Sequence, residues 1–234
     1  MITRTKENDL KYCLKGIAVI FIYFLFSIGQ KFPFILLHIN VADLPSYITI
    51  IYSLAVELLM ISLILCIFDK ELKNAFTDFK KNHLTYFNKY LKYYIISVVV
   101  MMVSNILINI LGGGMSTNET TIRNEFNVFP IFTFISAVIL APILEESVFR
   151  LGFRAIISND FLFITISSLI FGGLHLLGTP INEILPLYLL SYCSCGIAFA
   201  YMLKKTNNIF VSMFFHFMHN GLILSLQTFL LIFS

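Results

Sequence analysis

Charged residues are scarce in this chain. Asp, Glu, Lys and Arg together make up 12% of its 234 residues, whereas hydrophobic residues make up 58%, and the mean hydropathy is +0.87. Soluble domains carry about 25% charged residues, so the composition excludes an ordinary soluble domain. It predicts an all-α fold, a polytopic membrane helix bundle.

Cysteine is rare and tryptophan is absent. The four cysteines lie inside or beside apolar stretches, and Cys193 and Cys195, two positions apart, would point to different faces of a helix. The sequence therefore predicts neither a disulfide framework nor a thiolate zinc site. The lack of tryptophan, with abundant Phe, Ile, Asn and Lys, is typical of an AT-rich bacterial genome.

The chain also lacks internal repeats, low-complexity tracts and a small-x-small cleavage site after its first apolar stretch, which we interpret as an uncleaved helix. We therefore predict a single membrane-embedded domain over residues 1–234. Seven stretches are long enough, or nearly so, to cross roughly 30 Å of hydrocarbon as helices. They are 12–28, 47–68, 93–111, 129–157, 161–177, 184–203 and 209–233, and eight transmembrane helices are the alternative.

Basic residues are distributed unevenly between the loops. One set of loops holds Arg4, Lys6, Lys11 and Lys15 before the first span, six lysines in 70–92, and Lys204 and Lys205. The other set holds Lys31 and Arg123. The positive-inside rule then predicts a cytoplasmic N-terminus. We interpret segment 70–92 as a solvated loop, with attachment to anionic headgroups as the alternative.

Two adjacent acids, Glu145 and Glu146, lie inside the predicted span 129–157. An ionisable group at bilayer depth costs several kcal/mol unless it is paired or faces a wet cavity. Arg150 follows Glu146 by four residues, the spacing at which helical side chains meet, so it can neutralise that glutamate. Glu145 is rotated about 100° away and stays available for reaction.

His175 lies on the next span, at the end of the run 171–175, and reaches a depth similar to that of Glu145 if the chain turns near Asn159. Gly172 and Gly173 would let another helix approach closely. On the last span, His216 and Asn220 share a face at i, i+4 and could donate hydrogen bonds to an oxyanion. His219 partly shares that face, and we interpret it as supporting or structural.

The motifs Glu145-Glu146-x-x-x-Arg150, Phe171-x-x-x-His175 and His216-x-x-x-Asn220 occur in this order. They resemble those of the CPBP (Abi) intramembrane glutamic endopeptidases, which include type II CAAX prenyl proteases and bacteriocin-processing or immunity proteins. The resemblance covers about 129–221. It implies that Glu145 and His175 activate a water and that His216 and Asn220 stabilise the oxyanion. Glu146 and Arg150 would organise the site, and Phe171 would line the pocket.

Three other functions stay open from the residues alone. Glu145, His175 and His216 could bind zinc as a His₂Glu set, although no H-E-x-x-H motif is present and Arg150 disfavours a cation. Intramembrane acids and histidines also occur in ion or proton transporters, and a protease fold can serve a non-catalytic immunity or partner protein. We predict no metal and no cofactor, and Glu57 is interpreted as structural, with Arg150, Arg154, a lysine or a proton as its partner.

The predicted partners are the lipid bilayer and a membrane-associated peptide or protein substrate, with no nucleic acid. A bacterial peptide precursor, pheromone or bacteriocin leader fits the composition better than a prenylated protein. The predicted location is the bacterial cell membrane. Because His216 lies about 10 Å from the cytoplasmic start of its span, we expect the site to open toward the cytoplasm.

Overall fold

The computed structural model describes residues 6–233, with side chains for 9–41 and 43–229. Arg4 and the side chain of Lys6, which the topology prediction uses, lie outside these described parts. A short helix, Phe32–Leu36, and a 3₁₀ turn, Val41–Asp43, lie between the first two main helices. The main helices are α1 Lys6–Gly29, α2 Ser46–Ile67, α3 Asp69–Ile110, α4 Thr117–Val128, α5 Pro130–Ile156, α6 Asp160–Leu174, α7 Leu185–Thr206 and α8 Ile209–Phe233.

Six of these helices, α1, α2, α3, α5, α7 and α8, are long and apolar enough to cross a membrane by length and composition. Helix α6 is apolar but has 15 residues, about 22 Å at helical rise, which is shorter than the hydrocarbon core. The described residues contain no strand. The chain is therefore an integral membrane protein with an all-α, polytopic fold, as predicted from its composition.

The lysine-rich segment 70–92 is helical, and the prediction of a loop there is wrong. It forms the first half of α3, a helix of 42 residues. Its aromatic side chains pack on α8, where the Phe87 and Phe215 rings stack with centroids 6.0 Å apart. The Asn208 Nδ2 donates hydrogen bonds to the Ala75 carbonyl at 2.8 Å and to the Asp78 carboxylate at 2.7 Å. These tertiary contacts hold a polar segment in the helical state.

Helix α5 departs from regular α geometry in two places. Residues Ile135–Leu140 and Glu146–Gly152 are π-helical, with an α-helical turn, Ala141–Glu145, between them. Such π stretches are rare and occur often at functional sites. Both motif glutamates therefore lie at the junction between an α turn and a π turn.

Glycines allow two close helix contacts that position the motif-bearing helices. A Cβ on Gly172 of α6 would come within 2.6 Å of the Cys193 Sγ on α7, which confirms the predicted close approach at Gly172. A Cβ on Gly173 would meet nothing within 4 Å, so the same prediction is wrong at Gly173. On α1, a Cβ on Gly16 would lie 2.5 Å from the Gly152 carbonyl oxygen, so α1 packs directly on the second π stretch.

Ion pairs of lysine and arginine with acidic residues lie at one end of the bundle. There the beginning of α1 meets the beginning of α3 through an ion pair of Lys15 with Glu71 at 2.6 Å. Asp160 pairs with Arg154 at 2.9 Å and with Lys204 at 3.1 Å, joining the α5–α6 and α7–α8 turns. We name this the lysine-rich end, and we name the other end, where residues 111–129 lie, the α4 end.

Candidate active site

Glu145 lies between two histidines that come from different helices. Its Oε1 is 3.7 Å from the Nε2 of His175, which follows the last residue of α6, and its Oε2 is 3.6 Å from the Nε2 of His216 on α8. Side-chain exposure is 18% for Glu145 and 19% for His175 but 4% for His216. The fold therefore brings together the acid and the two histidines that the sequence singled out.

The hydrogen bonds of the two histidines fix which ring nitrogen faces Glu145. The His175 Nδ1 is 2.8 Å from the Phe171 carbonyl oxygen, which can only accept, so this nitrogen carries a hydrogen. The His216 Nδ1 is 3.0 Å from the Glu146 Oε1, which as a carboxylate also accepts. Each neutral ring consequently directs the lone pair of its Nε2 toward Glu145.

Glu146 and Arg150 form a buried pair beneath this group. The Arg150 Nε lies 3.5 Å from the Glu146 Oε2, and both side chains have 0% exposure. The Arg150 guanidinium also lies over the Phe171 ring, 4.7 Å from its centroid, a cation–π geometry. Phe171 thus contacts the arginine with its ring and His175 with its carbonyl, and its ring lines the cavity described below.

Asn220 is anchored to an unusual carbonyl group. Its Nδ2 donates a hydrogen bond to the Ala137 oxygen at 2.8 Å. In the π stretch the Ala141 N–H bonds to the Ser136 oxygen, five residues back, so the Ala137 oxygen would next require an N–H from Pro142. Proline has none. The asparagine side chain therefore satisfies a carbonyl that the helix leaves without a donor, and its second amide hydrogen remains for other acceptors.

His219 and Glu57 lie beside the site in other roles. His219 is buried, with its Nδ1 3.3 Å from the Tyr94 hydroxyl and its Nε2 3.8 Å from the Cys195 Sγ. Glu57 accepts a hydrogen bond at 3.0 Å from the Ser136 hydroxyl in the first π stretch. The prediction of an arginine or lysine partner for Glu57 is therefore wrong, because its hydrogen-bond partner is the Ser136 hydroxyl on α5.

A cavity of about 770 Å³ leads away from Glu145. Its floor consists of Glu145, Phe171, His175 and His216. Its walls carry polar side chains to which the sequence assigned no role in a site, among them Asn105, Asn109, Asn118, Glu119, Arg123, Glu125, Ser136, Tyr192 and Gln227. Asn105 and Asn109 are polar residues within an apolar span, and this was the signal that could have marked them as cavity residues.

The sequence placed the opening of the site at the end with most lysines, which it assigned to the cytoplasm. That placement is wrong, because the cavity extends toward the α4 end. Eight residues of the α4 end, all between positions 114 and 125, line it. On the other side of the site the side chains are closely packed, with exposures of 2% or less at Val148, Phe149, Phe163, Ile209 and Met213. The position of a residue along a predicted span could not reveal the direction of the cavity, because it does not show on which side of that residue other side chains fill the space.

Contacts with α7 and with the α6–α7 loop hold the α4 end of the cavity in place. The Ser116 hydroxyl lies 2.5 Å from the Tyr192 hydroxyl, and the Tyr188 hydroxyl donates to the Gly114 carbonyl at 2.8 Å. The Thr117 N–H donates to the Thr179 hydroxyl at 3.2 Å. Partial desolvation at the cavity raises the pKa of Glu125, which lies outside the spanning helices. The mouth of the cavity is thus a defined, partly acidic structure.

In the described part of the chain, no group of three or more His, Cys, Asp or Glu side chains is arranged to hold a metal ion. The zinc alternative is therefore supported only by the side-chain types of Glu145, His175 and His216, and not by a preformed metal site in the described part of the chain. Their roles as water activator or metal ligand are distinguished by experiment below.

Parts of the chain resemble known proteins. Residues 127–222 match the family described as "Type II CAAX prenyl endopeptidase Rce1-like". The chain is 32% identical over 118 residues to "Putative membrane peptidase YdiL" of Bacillus subtilis (strain 168). That alignment covers 49% of this chain and 45% of the relative, so the chain spans about half the length of the protein it matches. No solved structure matches the chain.

Proposed function

We propose that the chain is an intramembrane endopeptidase, starting from the match of residues 127–222 to the Rce1-like family of type II CAAX prenyl endopeptidases. The observation that carries the proposal is the convergence of the His175 and His216 Nε2 atoms on Glu145 at the floor of a cavity. Three helices would not present an acid and two imidazoles to one point for packing alone.

The proposed nucleophile is a water molecule between Glu145 and His175. The Glu145 Oε1 and the His175 Nε2 are 3.7 Å apart, so one water can hydrogen-bond to both. The water oxygen attacks the peptide carbonyl carbon while its proton passes to Glu145, acting as general base. The same proton then passes to the leaving amine as the C–N bond breaks, which yields a carboxyl group and a free amine.

The tetrahedral oxyanion needs hydrogen-bond donors, and His216 and Asn220 would supply them. The neutral form of His216 has no hydrogen on its Nε2, so it donates only as an imidazolium, whose positive charge the Glu146 carboxylate at Nδ1 would stabilise. Asn220 would donate its second amide hydrogen, since the first is bonded to the Ala137 carbonyl. Arg150 would hold Glu146 in position for this task.

The substrate class that we propose is a membrane-associated peptide or protein, without a requirement for a prenyl group. The composition, typical of an AT-rich bacterial genome, favours a peptide precursor in a bacterial cell membrane over a prenylated protein. The side chains that line the cavity, among them several amides, also suit a polypeptide backbone.

The test is peptide cleavage by the purified, bilayer-reconstituted chain. A mixture of non-lipidated and farnesylated peptides would be analysed for new termini by mass spectrometry. Glu145→Gln should abolish cleavage because an amide cannot accept the water proton. Glu183→Gln is the matched control, since Glu183 is exposed in the α6–α7 loop, and it should retain full activity. Cleavage at the unsubstituted rate by Glu145→Gln would refute the mechanism.

A further inference from the structure

The two ends of the bundle differ strongly in positive charge. Among the described residues, only Lys31 and Arg123 lie at the α4 end, and Arg150 lies inside the bundle. The other lysines and arginines lie in the first half of α1, in residues 69–92 of α3 or near the α5–α6 and α7–α8 turns. Arg123 is moreover paired with Glu119 at 2.6 Å. Lysine and arginine accumulate on the cytoplasmic side of membrane proteins, so the charge pattern assigns the lysine-rich end to the cytoplasm.

The cavity joins the site to the end that has few positive charges. Helices α3 and α8 touch through aromatic rings as far as Tyr94 and His219, whose ring centroids are 5.9 Å apart. Beyond that contact both helices line the cavity, α3 with Asn105 and Asn109 and α8 with Gln227. The packed side chains on the cytoplasmic side of Glu145 leave the cavity no continuation in that direction.

We propose that the site receives its substrate from the non-cytoplasmic face, and that this substrate is an extended segment of an exported or membrane-anchored polypeptide displayed there. The orientation of the cavity does not depend on whether the chain is a peptidase. The cleavage of the bound segment rests on the proposed function above.

The depth of the site sets the form of this substrate. His216 and Gln227 are eleven residues apart on α8, about 16 Å at helical rise. An extended chain advances about 3.3 Å per residue, so roughly five unfolded residues must enter before a bond reaches Glu145. A folded surface loop could not do so, whereas a flexible peptide or a juxtamembrane segment could.

The cavity wall has the chemistry to hold such a strand. Asn109, Asn118 and Gln227 each present an amide, which both donates and accepts hydrogen bonds as a peptide group does. Asn105, a fourth amide, accepts from the Ser191 hydroxyl at 2.9 Å and keeps its Nδ2 donor. Unpaired peptide groups are costly at membrane depth, and a wall of amides offsets that cost for an entering polypeptide.

The experiment uses single introduced cysteines and a membrane-impermeant maleimide. In a background with Cys13→Ser and Cys66→Ser, Asn118→Cys and Gln227→Cys test the cavity, and Asn82→Cys tests the lysine-rich end. The background without an added cysteine measures any reaction of the buried Cys193 and Cys195. Intact spheroplasts and permeabilised membranes are labelled in parallel.

We expect Asn118→Cys and Gln227→Cys to react in intact spheroplasts and Asn82→Cys to react only after permeabilisation. The reverse pattern would overturn the proposal. Introducing Glu145→Gln into each variant should leave labelling unchanged, so failure of the orientation and failure of the peptidase activity are separate results. In the purified enzyme, labelled Asn118→Cys should lose at least tenfold in cleavage rate, and labelled Asn82→Cys should not. An equal rate after cavity labelling would overturn the substrate route.

Discussion

At the residue scale, each site histidine has one ring nitrogen occupied by an acceptor outside the reacting centre. The His175 Nδ1 bonds to the Phe171 carbonyl, and the His216 Nδ1 bonds to Glu146. A ring held in this way has a fixed orientation, and its Nδ1 keeps its hydrogen whether the ring is neutral or protonated, which lowers the reorganisation that reaction would require. Glu146 and Arg150 therefore act through His216 in the proposed mechanism, and their complete burial keeps them from substrate.

The residue-scale prediction concerns Asn220. Asn220→Ala should lower kcat by about 10²-fold or more with little change in KM, because the lost donor serves the oxyanion rather than the bound substrate. Thr228→Ala, two turns further along α8, is the control, and it should leave both constants unchanged. Steady-state cleavage of one identified peptide measures them. A kcat for Asn220→Ala equal to that of the unsubstituted chain would remove Asn220 from the mechanism.

At the scale of helices, α5 owes its irregular geometry to features that serve the site. Pro142 cannot donate to Ala137, so the first π stretch offers a carbonyl to Asn220. The second π stretch contains Glu146 and Arg150 and is covered by α1 through Gly16 and Gly152. The N-terminal helix, which carries no motif, thus supports the helix that carries the acids.

The corresponding prediction compares two glycines of α1. Gly16→Ala would place a methyl group 2.5 Å from the backbone oxygen of Gly152, which cannot move without shifting α5. We expect a loss of about 1–3 kcal/mol in stability together with lower activity. Gly29→Ala meets nothing within 4 Å and should be as stable as the unsubstituted chain. Thermal unfolding in detergent, followed by light scattering, measures both, and equal midpoints would contradict the packing argument.

At the scale of the whole molecule, the bundle is closed at one end of the site and hollow at the other. The close packing of α5, α6 and α8 fills the lysine-rich side, and the segment tied to α7 by Ser116 and Gly114 frames the cavity on the α4 side. This asymmetry excludes bulk solvent from one side of Glu145 while a polypeptide can enter from the other. Partial exclusion of water strengthens the electrostatic interactions on which the proposed chemistry depends.

The whole-molecule prediction concerns metal dependence. If Glu145 and His175 activate the water without a cation, cleavage should persist after exhaustive chelation, and the purified chain should contain less than stoichiometric zinc by elemental analysis. The positive charge of the buried Arg150 disfavours a cation nearby. Loss of activity on chelation and its recovery with added zinc would replace this mechanism by the His₂Glu alternative.

Local spacing alone determined a large part of this protein. Hydropathy predicted the six helices that are long enough to span a membrane, although the predicted span 161–177 is too short. The i, i+4 spacing predicted the Glu146–Arg150 pair, because helix geometry fixes which neighbours meet. Matching depths predicted that Glu145 and His175 face each other. Only the tertiary structure decided the helical state of 70–92, the serine partner of Glu57, the carbonyl partner of Asn220 and the end toward which the cavity leads. Each of these four features depends on which side chains, distant in sequence, lie next to a residue. Those neighbours are set only when the helices pack against one another.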